Sequence, residues 1–84
     1  MRLDKFLKVS RLIKRRTVAN DACDGERVSV NGKIVKPSYN VKIGDIIQIT
    51  FGNKSVSVRV LDIRETTKKS ESIGMYEVVS ESDV

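Results

Sequence analysis

Eighty-four residues, 39% hydrophobic and 32% charged, make one globular domain with room for a single core. One cysteine and no histidine exclude an internal disulfide, leave a zinc site almost nothing to build on, and remove the commonest general acid–base. Catalysis and cofactors are therefore not expected, and a formal charge of +5 turns attention to anionic partners.

The charge gathers at the start of the chain. Residues 1–16 hold seven bases, Arg2, Lys5, Lys8, Arg11, Lys14, Arg15 and Arg16, against one acid, Asp4, a local net charge of +6. Leu3, Phe6 and Leu7 follow the i, i+3, i+4 spacing of a short amphipathic helix. Asp4 falls in its first turn, where a carboxylate either caps the helix or orients a neighbouring arginine. Arg2, Lys5 and Lys8, three apart, run along the other side.

A second helix is predicted from about Lys14 to Asp24. Val18, Ala19, Ala22 and Cys23 form its apolar stripe, with Cys23 buried and inert, and Arg16, Asn20 and Asp24 form its polar side. Gly25 is its natural stop. Small residues at 19 and 22 let the two helices approach closely.

The period then changes to two. Val28 and Val30 alternate with Arg27 and Ser29, Asn31-Gly32 supplies a tight hairpin turn, and Lys33-Ile34-Val35 returns. Pro37 ends that strand and opens a loop through Asn40. Gly44-Asp45 turns into Ile46–Phe51, with the Asp45 side chain able to bond locally. Gly52-Asn53 turns again, and Val56, Val58 and Val60 mark a long alternating strand, with Leu61 and Ile63 open as extensions. Glu65–Ser72 reads as a mobile connection, Ile73–Val79 as the last strand, and Ser80–Val84 as a frayed acidic tail. The expected fold is α+β: two N-terminal helices packed on a small, mostly antiparallel sheet of four to five strands.

No apolar run approaches the ~20 residues of a membrane helix, and charges interrupt any secretory h-region. With its single thiol, the chain fits the cytoplasm and no membrane. Residues 1–42 carry a net charge of +7 and residues 43–84 one of −2, so one half attracts phosphate. A solvated helix face normally mixes signs, whereas this one has a single acid among seven bases, which points to a polyanion. Phe6 and Phe51 are expected in the core, so the aromatics do not form a stacking platform. Tyr39, in its loop, is left open as a base-stacking residue.

Four segments occur in order: Arg2-Leu3-Asp4-Lys5-Phe6-Leu7, then Lys14-Arg15-Arg16, then Gly25-Glu26-Arg27-Val28-Ser29-Val30-Asn31-Gly32, and finally Val41-Lys42-Ile43-Gly44-Asp45-Ile46-Ile47. Together they resemble the S-four RNA-binding domain family, also called the αL motif. The resemblance implies a single RNA-binding domain over residues 1–79, with the motif proper over about 1–51 and a short acidic tail over 80–84. It also implies that the two helices and the adjoining loop grip structured RNA by shape. Carried over by position, Arg2, Lys5, Lys8, Lys14, Arg15 and Arg16 would make the contacts, and Arg11, Lys33 and Lys36 are additions.

Among stand-alone members, the chain is similar to the quality-control P proteins. It is also similar to the fifteen-kilodalton heat-shock proteins, whose longer basic C-terminal extension is here a short acidic tail. That similarity implies a monomer bound to large-subunit ribosomal RNA and P-site peptidyl-tRNA on obstructed large subunits. It further implies a tailing factor that recruits alanyl-tRNA for untemplated alanine tailing. A ribosomal RNA-binding assembly factor and a heat-shock-type recycling factor stay open, as do a DNA-binding module and a protein adaptor working by strand addition.

Overall fold

Two helices precede five strands: α1 (Leu3–Val9), α2 (Arg16–Asp24), β1 (Val28–Val30), β2 (Lys33–Ile34), β3 (Ile46–Phe51), β4 (Lys54–Val60) and β5 (Tyr76–Asp83). This computed structural model describes residues 1–64 and 73–83, so the connection expected over Glu65–Ser72 and the terminal Val84 lie outside the described residues. The strands form one antiparallel sheet in the order β2-β1-β3-β4-β5. The expected α+β architecture is what the structure has.

Register explains the core. Val28 lies opposite Ile49, Val30 opposite Ile47, and Ile47 opposite Val58, so the apolar residues of three strands share one face. Leu3, Phe6 and Leu7 from α1 join them in a single buried cluster, together with Ala19, Ala22 and Cys23 from α2. Ser29, Gln48 and Ser57 line up on the opposite face, where Gln48 Nε2 donates to Ser55 Oγ at 2.8 Å. The β1–β2 turn places Asn31 at φ 52° and Gly32 at φ 83°, the two left-handed positions that a two-residue hairpin demands.

Several expectations shift. The second helix begins at Arg16, not Lys14, because Arg15 is extended (φ −126°, ψ 138°) and leaves Lys14 in the connecting loop. Val18 is 49% exposed: α2 meets α1 and β1 along the narrower line of Ala19, Ala22 and Cys23, and Val18 is rotated off it. Phe51 is 44% exposed because it ends β3 at the hairpin, past the buried stretch of the sheet. Gly25 keeps an ordinary φ of −80°, and the left-handed residue after α2 is Glu26 at φ 60°. Gly25 is instead a matter of space, since a Cβ there would sit 3.2 Å from the Asp21 carbonyl oxygen.

The C-terminus differs most. Leu61 and Ile63 lie beyond the end of β4, and Ile73–Met75 is a 3-10 turn whose Met75 carbonyl accepts the Leu61 N–H at 2.8 Å. The last strand runs through the supposed frayed tail, with Ser82 opposite Ser55 and Asp83 opposite Lys54. Val79 is the extra residue of a bulge, since Val78 pairs with Val58 and Ser80 with Ser57. Both sheet edges are thus guarded, β2 by being two residues long and β5 by its bulge and its acidic residues.

Candidate nucleic-acid interface

The site begins with the start of α1. Two early N–H groups of this seven-residue helix find partners outside it, Leu3 donating to the Tyr39 carbonyl at 2.8 Å and Asp4 to the Pro37 carbonyl at 3.1 Å, while the Lys5 N–H donates within the first turn to Asp4 Oδ1 at 2.8 Å. The Pro37–Val41 loop therefore completes the helix. It is fixed in turn by the Met1 ammonium, which donates to Asn40 Oδ1 at 2.8 Å, and by the Val41 N–H, which donates to the Met1 carbonyl at 2.9 Å.

Asp4 is 2% exposed and is the centre of the surface. Arg2 donates to it twice, from Nε to Oδ1 at 3.2 Å and from Nη2 to Oδ2 at 3.3 Å. Arg16 Nη2 reaches Oδ1 at 3.5 Å, and Asn20 Nδ2 reaches Oδ2 at 3.3 Å. Desolvation pushes the carboxyl up, but the hydrogen bonds from Arg2, Asn20 and the Lys5 N–H, with the charge of Arg16, outweigh it and hold Asp4 below the usual carboxylate range. The buried anion thus binds α1 to α2 and gathers two guanidiniums whose side chains remain 51% and 48% exposed. Of the two roles open for Asp4, it takes both, bonding within the first helical turn and orienting arginines.

The other predicted residues spread around this pair. Lys5 and Lys8 stand on α1, Lys5 half-buried and Lys8 exposed. Arg11 and Lys14 are exposed in the loop between the helices, where Arg11 adopts φ 65°, and Arg15 is the extended residue before α2. Lys36 is exposed next to Pro37, on the loop that completes α1. Lys33 is placed apart, on edge strand β2. Arg2 and Arg16 are therefore brought together through a shared partner, Asp4.

Tyr39 is held by its hydroxyl, which donates to Asp45 Oδ2 at 2.9 Å. The same buried carboxylate accepts the Lys42 N–H at 3.0 Å and Asn31 Nδ2 at 3.1 Å. Desolvation again opposes ionisation, but these donors prevail and lower the Asp45 pKa, while the bond to Asp45 raises that of Tyr39. Cys23 is buried, and desolvation, with Asp4 and Asp24 nearby, pushes its thiol up to about 11, so it is protonated and inert. Sequence reasoning missed Asn20 as a member of the site. Its i+4 spacing from Arg16 was visible, but its partner lies on another helix.

The S4 domain model matches residues 1–47, more than half of the chain. A Streptococcus pneumoniae protein named "RQC P-site tRNA stabilizing factor" is 52% identical over 84 residues, covering 100% of this chain and 96% of the relative. A Bacillus subtilis protein of the same name is 53% identical over 81 residues, covering 96% and 94%. The trimeric structure of Vibrio cholerae Heat Shock Protein 15 superposes with a TM-score of 0.88 at 30% identity, covering 95% of this chain and 82% of that one. These matches agree with the two-helix, one-sheet architecture and with the segments around Arg2 and Arg16: the chain belongs to the S4-domain family, in the group of the RQC P-site tRNA stabilizing factors.

Proposed function

We propose that this protein is a non-catalytic RNA-binding factor of ribosome-associated quality control. The observation that carries the reading is the pair of half-exposed guanidiniums, Arg2 and Arg16, fixed on one buried carboxylate at the junction of the two helices. Arginine forks suit phosphate oxygens, and a rigid cationic face suits the regular phosphate rows of folded RNA. The names of the end-to-end relatives support the choice of RNA, since each is called a P-site tRNA stabilizing factor.

In this reading the face docks on obstructed large ribosomal subunits, between ribosomal RNA and the P-site peptidyl-tRNA. Arg2, Lys5, Lys8, Arg11, Lys14, Arg15, Arg16, Lys33 and Lys36 supply the contacts. The protein steadies the tRNA while a tailing factor brings alanyl-tRNA, so its contribution to alanine tailing is positioning. The test is co-sedimentation with large subunits that carry or lack peptidyl-tRNA. Enrichment on the loaded subunits is expected. Equal binding to both would favour the second reading, an assembly or recycling factor, to which the likeness to Heat Shock Protein 15 lends support. A protein adaptor working by strand addition fits poorly, because β2 is two residues long and β5 is bulged and acidic.

A further inference from the structure

An acid beneath a surface that meets a polyanion needs an explanation. Asp4 cancels one of the local positive charges, and at 2% exposure it is shielded from a ligand. The core has no need of an ion at that place: apolar residues of α1 and α2 already pack the helices together. What Asp4 does is accept five hydrogen bonds, three of them from guanidinium nitrogens of Arg2 and Arg16, one from the Lys5 N–H and one from Asn20. Arg2 enters from before α1 and Arg16 from the first turn of α2, so without the carboxylate two long side chains would sample many rotamers and repel one another.

We propose that Asp4 is a positioning residue, anchored by Asn20, which holds the Arg2 and Arg16 guanidiniums in the arrangement that receives RNA phosphate oxygens. Affinity for RNA then depends on a buried anion, although charge counting says that the anion should oppose binding. The inference rests on the RNA-binding reading and goes beyond it by naming what sets the geometry of the contact.

Charge and geometry make opposite predictions for Asp4→Asn. Removing the negative charge raises attraction for a polyanion, so electrostatics alone predicts tighter binding by roughly twofold. Positioning predicts binding weaker by roughly five- to tenfold, because the arginines must now be ordered as RNA binds. Asn20→Ala changes no charge, so electrostatics predicts no effect, whereas positioning predicts a loss of roughly two- to threefold.

The experiment is fluorescence anisotropy of the full chain on labelled bulk tRNA across a KCl series, with thermal melts of every variant. Weaker binding by Asp4→Asn at an unchanged salt slope, with a smaller loss for Asn20→Ala, supports the proposal. Tighter or equal binding by Asp4→Asn overturns it. If Asp4→Asn shows no cooperative melt, Asn20→Ala decides, and an unchanged affinity there overturns the proposal. Arg2→Ala and Arg16→Ala separate the two levels. If they bind as the parent does, the RNA-binding reading falls and the positioning role with it. If they weaken binding while Asp4→Asn strengthens it, the reading stands and the proposal alone fails.

Discussion

Arg2 Nε and Arg16 Nη2 converge on the same oxygen, Oδ1 of Asp4, at 3.2 and 3.5 Å, so residues that open the chain and open α2 become neighbours on the surface. Two like charges are held together because a buried opposite charge lies beneath them.

Arg16→Ala and Arg2→Ala should each weaken association with large ribosomal subunits and lower the salt slope of binding by roughly 0.7–0.9, the loss of one phosphate contact. Stability should fall by no more than about 1 kcal/mol, because Asp4 keeps its bonds to Asn20 and the Lys5 N–H. Sedimentation at several salt concentrations checks the first part, and urea unfolding checks the second. Binding by either variant that matches the parent throughout the salt series would contradict the assignment.

Tyr39→Phe removes the hydroxyl that bonds Asp45 but keeps the ring. It should cost about 1 kcal/mol of stability and leave RNA affinity unchanged. Asp45→Ala should cost more, about 2 kcal/mol, because the Asn31 amide and the Lys42 N–H lose the same acceptor. If Tyr39→Leu then weakens RNA binding in the folded protein, the ring has a base contact in addition to its bond within the fold.

Stability should decline in acid through Asp4 and Asp45. Both carboxyls have a folded pKa below the unfolded value near 3.8, so their contribution is fully present above that value. It disappears as pH falls through the lowered folded values, when protonation breaks the bonds they accept. Chemical unfolding at pH 7, 5, 4 and 3 should therefore show a nearly flat upper range and a fall below about pH 4. Asp45→Asn should flatten part of that fall.

Deleting residues 80–84 should lower stability by about 1–3 kcal/mol while leaving RNA affinity nearly unchanged. Ser80–Asp83 pair with β4, far along the sheet order from the helices, and carry Glu81 and Asp83 in place of bases. Thermal melts and tRNA titrations of the shortened chain separate the two effects. A tenfold loss of affinity in the folded variant would assign this strand a role in binding.

Local signals in the sequence carried far. The spacing of Leu3, Phe6 and Leu7, the Asn31-Gly32 turn and the alternation of Val28 with Val30 and of Val56, Val58 and Val60 each depend on neighbours close in the chain or on a strict period. Each appears in the structure in the expected place. What escaped depends on distant partners. Val18 is exposed because of how α2 rotates against α1, and Phe51 because the buried part of the sheet ends before it. Ser80–Asp83 look unpatterned until Lys54 and Ser55 are seen opposite them. The cationic character of the site was likewise legible as composition, while the Asp4 hub was not, since Asn20 and Arg16 meet Asp4 only when the helices are packed.

The loop that completes α1 also sets a timetable for the molecule. A seven-residue helix does not persist alone in water. Its Leu3 and Asp4 amides wait for the carbonyls of Tyr39 and Pro37, which are synthesised much later. The basic face therefore cannot take shape while only the first part of the chain has left the ribosome. It needs the Pro37–Val41 loop to complete α1 and the later strands to bury Leu3, Phe6 and Leu7, so the most cationic segment takes its shape from residues far along the chain.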